Sequence, residues 1–389
     1  MQFAKRMSAV APSATLEISA KAAALRAKGH NIISLSLGEP DFPVPAHVTE
    51  AVCAAAQKKQ APYTPVAGLP EARDAVSTYF KRSYAVEVPR ECIILSNGGK
   101  QVLFNLFQVL LNPGDEVLVP CPYWLSYPDM IRLCDGVPVE VKSQNLDGKI
   151  TTTDLNAALT PKTRILILNS PSNPTGACYT QKELEALALW AIERNIFVIS
   201  DEMYDQLCYL PSGPVSLSSL LGKYSEHLLI VNGLAKSFSM PGWRVGYGLG
   251  NPSLIAKMTV LQSQSTSNIC SLAQAAAIAA LNGSYASIEA MRDTYRQRRD
   301  LALSHIAKWP HVTFPHPDGA FYIFLNVTKL LNKQTPCATS LCAYLMEHAG
   351  VALVPGAPFG DDNCLRLSYS TDEKTLTLAL EKLAPVLGV

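Results

Sequence analysis

The chain has 389 residues, of which 48% are hydrophobic and 17% are charged, and it carries 33 basic and 32 acidic side chains. This length and apolar content suit one large α/β domain or two domains and exclude wholesale disorder. The net charge of +1 offers no basic surface for nucleic acid, and no apolar run is as long as a membrane-spanning helix. We therefore expect a soluble protein that binds neither nucleic acid nor membrane.

The start of the chain contains charges and a proline but lacks the apolar core of a signal peptide, which predicts a cytoplasmic location. The ten cysteines are scattered without a C-x-x-C pair, so they are expected to be reduced thiols rather than a disulfide framework. The seven histidines show no ligand spacing such as H-x-x-x-H, and no metal site is expected.

A mostly parallel sheet is predicted between residues 92 and 250. Segments 100–111 and 181–195 each carry an apolar stripe at helical period. Apolar runs separated by helices are typical of a parallel sheet buried on both faces, which binds ligands at the carboxyl ends of its strands. The runs are CIILS (92–96), EVLVP (116–120), VPVEV (137–141), RILILN (164–169), IFVIS (196–200), LLIVN (228–232) and VGYGLG (245–250).

The pattern changes towards the C-terminus. A long polar helix (287–309) precedes apolar runs at 319–327 and 364–370, which predict a smaller α+β unit. The N-terminal helix (16–29) and NIISLSLGEPDF (31–42) are expected to pack with this unit, making it discontinuous. We predict an N-terminal arm (1–14), a small domain (15–47 with 288–389) and a large domain (48–287).

The motif SNGGKQ (96–101) ends one predicted strand and opens a helix. Gly98 and Gly99 allow the backbone to approach a ligand closely, and the free N–H groups of the helix start favour an anion such as phosphate. Taken alone, a glycine turn without a ligand is the commoner interpretation.

Two further motifs follow strand ends. In NSPSNPTG (169–176), Asn173 precedes a proline, which marks a turn but also directs an amide side chain towards the ligand crevice. In SDEMY (200–204), Asp201 could hydrogen-bond a protonated ring nitrogen, and the hydroxyl of Tyr204 could reach the same place. A carboxylate that caps the next element is an equally good interpretation of Asp201.

Three more residues have both a structural and a functional interpretation. Trp124, just past another strand end, is either a core aromatic or a platform for a planar cofactor. Lys236 lies among small and apolar residues, with Arg244 eight positions later. The pair is either a solvated surface turn or an amine nucleophile beside an anion anchor. Arg366, in the strand pattern CLRLSYS, is either solvated or a fork for a carboxylate.

Together and in this order, the motifs resemble the class I and II aminotransferases, which are pyridoxal-phosphate enzymes of the aspartate aminotransferase fold. The resemblance runs from about residue 7 to the end, and is closest to bacterial aspartate aminotransferases with a G-G-K motif. It implies fold type I of these transferases, with a mostly parallel seven-stranded sheet and a smaller α+β domain. The motifs are YTPVAGLPEAR (63–73), NGGKQ (97–101), PYW (122–124), NPTG (173–176), DEMYDQL (201–207), NGLAKSFSMPGWRVGYG (232–248) and RLSYS (366–370).

The resemblance implies how pyridoxal phosphate would be anchored. Lys236 would be the Schiff-base lysine and the general base. Arg244 would pair with the phosphate, assisted by the backbone at Gly99 and Lys100. In a homodimer, the hydroxyl of Tyr63 would reach the phosphate of the neighbouring subunit.

It also implies roles around the cofactor ring. Asp201 would keep the pyridine nitrogen protonated, and Tyr204 and Asn173 would bond the ring oxygen. Trp124 would stack on the ring. One departure concerns the phosphate, because many relatives carry hydroxyl side chains just before the lysine, where this chain has glycine and alanine (233 and 235).

The substrate would be held by a second set of residues. Arg366, with Asn173 and the backbone of Gly38, would bind the α-carboxylate, and Trp124 would line the same space. Lys100 would serve the distal carboxylate of aspartate or glutamate. The resemblance thus implies a transaminase acting on amino acids and 2-oxo acids, most simply an aspartate aminotransferase. An aromatic or broad-specificity aminotransferase, a C–S lyase or decarboxylase, and a non-catalytic cofactor-sensing regulator remain alternatives.

Overall fold

The structure is a computed structural model that describes residues 1–10, 12, 14–58, 62–143, 145 and 147–388. Its strands are β1 (Ile33–Ser34), β2 (Ile93–Asn97), β3 (Glu116–Cys121), β4 (Val137–Lys142), β5 (Thr163–Asn169), β6 (Phe197–Asp201), β7 (Leu228–Gly233), β8 (Val245–Leu249), β9 (Tyr322–Asn326), β10 (Val351–Ala352), β11 (Val354–Pro355) and β12 (Cys364–Ser368).

The α-helices are α1 (Ala14–Ala27), α2 (Ala46–Gln57), α3 (Pro70–Tyr84), α4 (Gly99–Leu110), α5 (Ser126–Leu133), α6 (Thr152–Ala158), α7 (Gln181–Ile192), α8 (Leu221–Tyr224), α9 (Pro252–Ser263), α10 (Ser271–Asn282), α11 (Ala286–Ile306), α12 (Ala338–His348) and α13 (Glu373–Leu383). Within the part of the chain that the structure describes, no helix has the length and apolar character needed to cross a membrane.

A seven-stranded sheet in the order β2-β8-β7-β6-β5-β3-β4 forms the centre of the large unit. Its strands correspond one by one to the seven predicted apolar runs, so the predicted fold class is confirmed. All neighbours pair in parallel except β8, which is antiparallel to both β2 and β7. Because β8 reverses direction, the loop between β7 and β8 lies at the same edge as the carboxyl ends of the parallel strands.

Helices cover both faces of this sheet, which explains why its central strands are mostly apolar. Every residue of β6 and β7 is buried. Side chains from α3, α7 and α10 share a buried cluster with one face, and side chains from α4, α5 and α9 share a cluster with the other. Parallel strands enclosed in this way lose the alternation that marks a half-exposed strand.

A second, smaller group of strands lies towards the C-terminus. The antiparallel sheet β11-β12-β9 packs with α11, α12 and α13 around its own buried cluster. The N-terminal segment joins this group, because β1 pairs in parallel with β10. The division into domains at the predicted boundaries stays a prediction.

Candidate active site

A cavity of about 390 Å³ lies at the carboxyl edge of the large sheet, where β9, β12 and the segment after β1 close over it. Strand ends meet there, which is where ligands bind in sheets of this kind. The residues predicted from the sequence line this cavity with the exception of Tyr63. Those that line it are Gly38, Gly99, Lys100, Trp124, Asn173, Asp201, Tyr204, Lys236, Arg244 and Arg366.

Lys236 lies in the loop between β7 and β8 and points into the cavity. Its Nζ donates a hydrogen bond to the carbonyl oxygen of Gly38 and lies 5.8 Å from the centroid of the Tyr204 ring. Burial lowers the pKa of the Lys236 amine to about 8; Arg366 and Arg244 act in the same direction, and the carboxylate at position 39 opposes them. An amine with this pKa is readily available in its neutral form, as a nucleophile or a base requires.

Asp201 ends β6 and is a buried carboxylate. Its Oδ2 accepts a 2.5 Å hydrogen bond from the hydroxyl of Tyr127, and its Oδ1 accepts one of 3.2 Å from the backbone of Met203. Burial raises the pKa of Asp201 to about 6, although both hydrogen bonds favour the ionised form. Because both donors are neutral, the carboxylate is suited to a protonated nitrogen of a ligand.

Arg366 lies in the middle of β12 and is only 2% exposed. Its Nη1 donates a 3.0 Å hydrogen bond to Oδ1 of Asn173, and its Nη2 donates one of 2.9 Å to the carbonyl oxygen of Ser36. Its Nε is buried without a hydrogen-bond partner among the described residues. Burial lowers the pKa of Arg366. A buried guanidinium whose partners are neutral is suited to bind an anion, above all a carboxylate.

Arg244 and the start of α4 form a second place for an anion. Arg244 is exposed and donates 3.0 Å and 3.3 Å hydrogen bonds to the carbonyl oxygens of Pro241 and Asn97. Gly98, with φ of 84°, precedes the helix, and a Cβ there would lie 2.6 Å from Nη2 of Arg244. A Cβ on Gly246 would lie 2.2 Å from the backbone of the same turn. The glycines therefore permit the guanidinium and the free N–H groups of the helix to converge.

Lys100 lies in the first turn of α4, at the mouth of the cavity. Its Nζ is 5.0 Å from the centroid of the Trp124 ring, and it forms no hydrogen bond or ion pair with the described residues. The side chain is exposed, yet partial desolvation by the cavity wall and then the charge of Arg244 lower its pKa. A cation here opposes the helix dipole, at a cost of about 0.3–1 kcal/mol without a compensating anion.

Two tyrosines that the sequence analysis did not single out complete the site. The Tyr322 hydroxyl is 2.9 Å from that of Tyr204, and the Tyr322 ring lies 4.5 Å from the guanidinium carbon of Arg366. Tyr127 is the donor to Asp201 described above. Tyr127 lies in α5, three residues after Trp124, whereas Tyr322 lies in β9 and reaches the cavity only because β9 closes over it.

Tyr63 lies outside the cavity and is 92% exposed, which is a large fraction for an aromatic side chain. Positions 233 and 235, just before Lys236, carry no hydroxyl group. A larger side chain does not fit at position 233, because a Cβ on Gly233 would lie 2.7 Å from the carbonyl oxygen of Val245.

Comparison with known proteins identifies the class. The family described as "Aminotransferase class I and II" matches residues 30–383. The aspartate aminotransferase of Geobacillus stearothermophilus is 42% identical, over 98% of either chain. The asparagine–oxo-acid transaminase of Streptococcus mutans is 41% identical, again over 98% of either chain. The solved aspartate aminotransferase of Thermus thermophilus with maleate is 42% identical, with a TM-score of 0.94, and covers 99% of this chain and 100% of its own.

Fold and similarity together define a transaminase, as the motifs predicted. The chain belongs to the class I and II aminotransferase family.

Proposed function

We propose that this protein is a pyridoxal-phosphate-dependent aminotransferase that moves an amino group between aspartate or glutamate and a 2-oxo acid. One observation carries the proposal. A lysine with a pKa of about 8 shares a single cavity with the buried carboxylate of Asp201 and the buried guanidinium of Arg366. An amine, a group for a protonated ring nitrogen and a group for an α-carboxylate are what such a reaction requires.

The residues present fit the cofactor. Arg244 and the N–H groups at the start of α4 would hold the phosphate, and the glycine turn beside them leaves no room for a Cβ. Asp201 would bind the ring nitrogen, and its neutral partners leave its charge for that purpose. Tyr204 and Asn173 would bond the ring oxygen and Trp124 would cover the ring. When bound, the cofactor supplies an electron sink for the bonds at the substrate Cα.

The chain itself binds the substrate and moves its proton. Arg366 would bind the α-carboxylate through its unpartnered Nε and through N–H groups that now bond neutral oxygens such as Oδ1 of Asn173. Asn173 and the Gly38 backbone would lie beside the bound carboxylate. Lys236 would hold the cofactor and would move the proton at the substrate Cα. Its lowered pKa suits a base that works near neutral pH.

Lys100 supports an acidic substrate. The phosphate has Arg244 and the α-carboxylate has Arg366, so a third cation without a partner favours a third negative group. Two supporting observations come from relatives: one is named an aspartate aminotransferase, and the Thermus structure contains maleate, which is a dicarboxylate. An amide substrate, as in the Streptococcus relative's name, offers no charge for Lys100. An aromatic side chain is accommodated if Lys100 swings out to solvent.

The assembly is proposed to be a homodimer with shared sites. Tyr63 is an exposed aromatic outside its own cavity, and the anion site at Arg244 is open to solvent. A second copy that covers this side would bring its Tyr63 hydroxyl to the phosphate. A cytoplasmic location is part of the same proposal, supported by ten unpaired cysteines.

The test is a single half-reaction. Purified holoenzyme mixed with aspartate should release one equivalent of 2-oxo acid and keep the amino group. In a separate sample without aspartate, borohydride should fix the cofactor on Lys236, which peptide mapping would locate. Lys236→Ala should abolish both, whereas Lys162→Ala, at an exposed position, should change neither. A label on another lysine overturns the assignment. Release of ammonia, sulfide or carbon dioxide would instead indicate a lyase or decarboxylase.

A further inference from the structure

Asp205, one residue after Tyr204, is a second buried carboxylate and is 1% exposed. Its Oδ1 accepts hydrogen bonds of 3.0 Å from the hydroxyl of Ser237 and 2.7 Å from the backbone of Gln206. Its Oδ2 accepts bonds of 2.8 Å from Tyr84 and 2.9 Å from the amide of Asn232, and a further bond from the hydroxyl of Tyr79.

The direction of two of these bonds follows from the other partners of their donors. The hydroxyl of Tyr79 accepts a 2.9 Å bond from the side chain of Gln206, which leaves its proton for Asp205. The Oδ1 atom of Asn232 accepts the backbone N–H of Gly233 at 2.6 Å, so the amide nitrogen faces Asp205. Only an ionised carboxylate can accept from so many donors, and bonds to a charged acceptor are about twice as strong as neutral ones.

The donors to Asp205 come from two different parts of the chain, the Lys236 loop and α3. Ser237 follows Lys236 directly, and Asn232 lies near the end of β7, at the start of the loop that carries the lysine. Asp205 itself belongs to the turn that carries Tyr204. On the far side, Tyr84 ties the carboxylate to α3. One anion therefore joins the Lys236 loop to the turn after β6.

We propose that Asp205 is a positioning residue: through Ser237 and Asn232, its carboxylate fixes the Lys236 loop relative to Tyr204 and Asp201. The proposal rests on the proposed function, in which Lys236 carries the cofactor and moves the proton. Reacting atoms must be held within a few tenths of an ångström, and a misplacement of about 1 Å costs about 100-fold in rate. Asp205 is not among the residues that line the cavity, so its effect is transmitted by the loop.

The structure offers a matched pair of variants. Ser237→Ala removes the donor on the lysine side, and Tyr84→Phe removes one on the α3 side. Each leaves the carboxylate with one neutral hydroxyl donor fewer, so we expect comparable decreases in the unfolding temperature. Only Ser237→Ala should reduce kcat, by about tenfold or more, with KM unchanged. It should also slow the rate at which apoprotein captures pyridoxal phosphate on Lys236, measured as borohydride-stable label, and Ser237→Thr should restore both.

The outcomes separate the two proposals. If Ser237→Ala does not differ from Tyr84→Phe in kcat and in capture rate, the positioning role of Asp205 is wrong, whatever the unfolding temperatures show. If Lys236→Ala keeps its turnover, the proposed function itself is wrong. Asp205→Asn provides a second test of the positioning role, because it retains the shape of the side chain but removes the charge. Normal label capture in a folded Asp205→Asn protein would also overturn the positioning role.

Discussion

The guanidinium of Arg366 donates a 3.0 Å hydrogen bond to Oδ1 of Asn173, and this bond joins β12 to the loop after β5 across the cavity. The two residues are 193 positions apart in the chain. The bond holds the plane of the guanidinium while its Nε stays unpartnered among the described residues. The arginine is thereby oriented before any substrate arrives.

Arg366→Lys is expected to lower kcat/KM for every amino acid substrate. A lysine keeps the charge but loses the planar fork, and a lost charge-assisted bond costs about 1.5–3 kcal/mol, or about 10- to 100-fold. Steady-state kinetics with aspartate and with an aromatic amino acid measure the effect. The affinity for pyridoxal phosphate should not change, and weaker cofactor binding would assign Arg366 to the cofactor instead.

Lys100→Ser should separate acidic from aromatic substrates. Loss of one charge-assisted bond to the distal carboxylate should lower kcat/KM for aspartate and its oxo acid by about one to two powers of ten, or about 1.5–3 kcal/mol. Efficiency with an aromatic amino acid should change little, because the lysine can already swing away. An equal loss for both substrates would mean that Lys100 serves the cofactor.

Asp201→Asn should leave the cofactor bound but slow turnover by about 100- to 1,000-fold, since the charge that stabilises a protonated ring nitrogen is gone. Glu202→Gln is the matched control. Burial raises the pKa of Glu202 to about 8, so this neighbouring carboxyl is largely neutral at pH 7 and the change removes little charge. Single-turnover absorbance measurements compare the two variants. Full turnover by Asp201→Asn would show that Asp201 is only a structural cap.

Mixing inactive chains tests whether Tyr63 serves the neighbouring site. A dimer of Lys236→Ala and a Tyr63 variant would contain one site with both native residues, so activity should partly recover. Lys236→Ala mixed with Arg366→Ala is the control, because both residues belong to the same chain's site. If subunits exchange and the first mixture gains nothing, the shared site is disproved.

The pKa of Lys236 predicts how cofactor capture depends on pH. Only the neutral amine attacks, so the capture rate of apoprotein should rise with pH and level off above a midpoint near 8, well below the ordinary value of 10.5. Because the unfolded chain binds more protons between these values, this lysine also makes stability rise with pH in that window. Glu39 opposes the decrease, so Glu39→Gln should move the midpoint lower. A midpoint that does not respond would exclude Glu39 from the site.

The large sheet could be predicted because its strands are enclosed on both faces. In RILILN, the four residues from Ile165 to Leu168 are all buried, and such a run is conspicuous in a sequence. The direction of β8 could not be predicted in this way. VGYGLG indicates a buried strand, but its reversal follows from the loop that precedes it and from pairing with β2.

The candidate site was predictable where a side chain follows a strand end within a motif, as for Asp201 and Lys236. The partners of those side chains were not. Arg366 bonds the backbone of Ser36, 330 positions away, and Tyr322 meets Tyr204 only because β9 packs over the sheet. A single sequence records neither contact, because each depends on how distant segments pack.

Strand β8 occupies an inner place in the sheet although it is the last of the seven in the chain. Until it inserts between β2 and β7, β2 has no partner in the sheet, and Arg244 is not beside Asn97, 147 positions earlier. Such distant contacts form late, since closing long loops costs entropy first. The proposed phosphate site is therefore absent from a chain whose sheet is incomplete. During refolding, the yellow colour of the captured cofactor should report the moment at which the last strand is inserted.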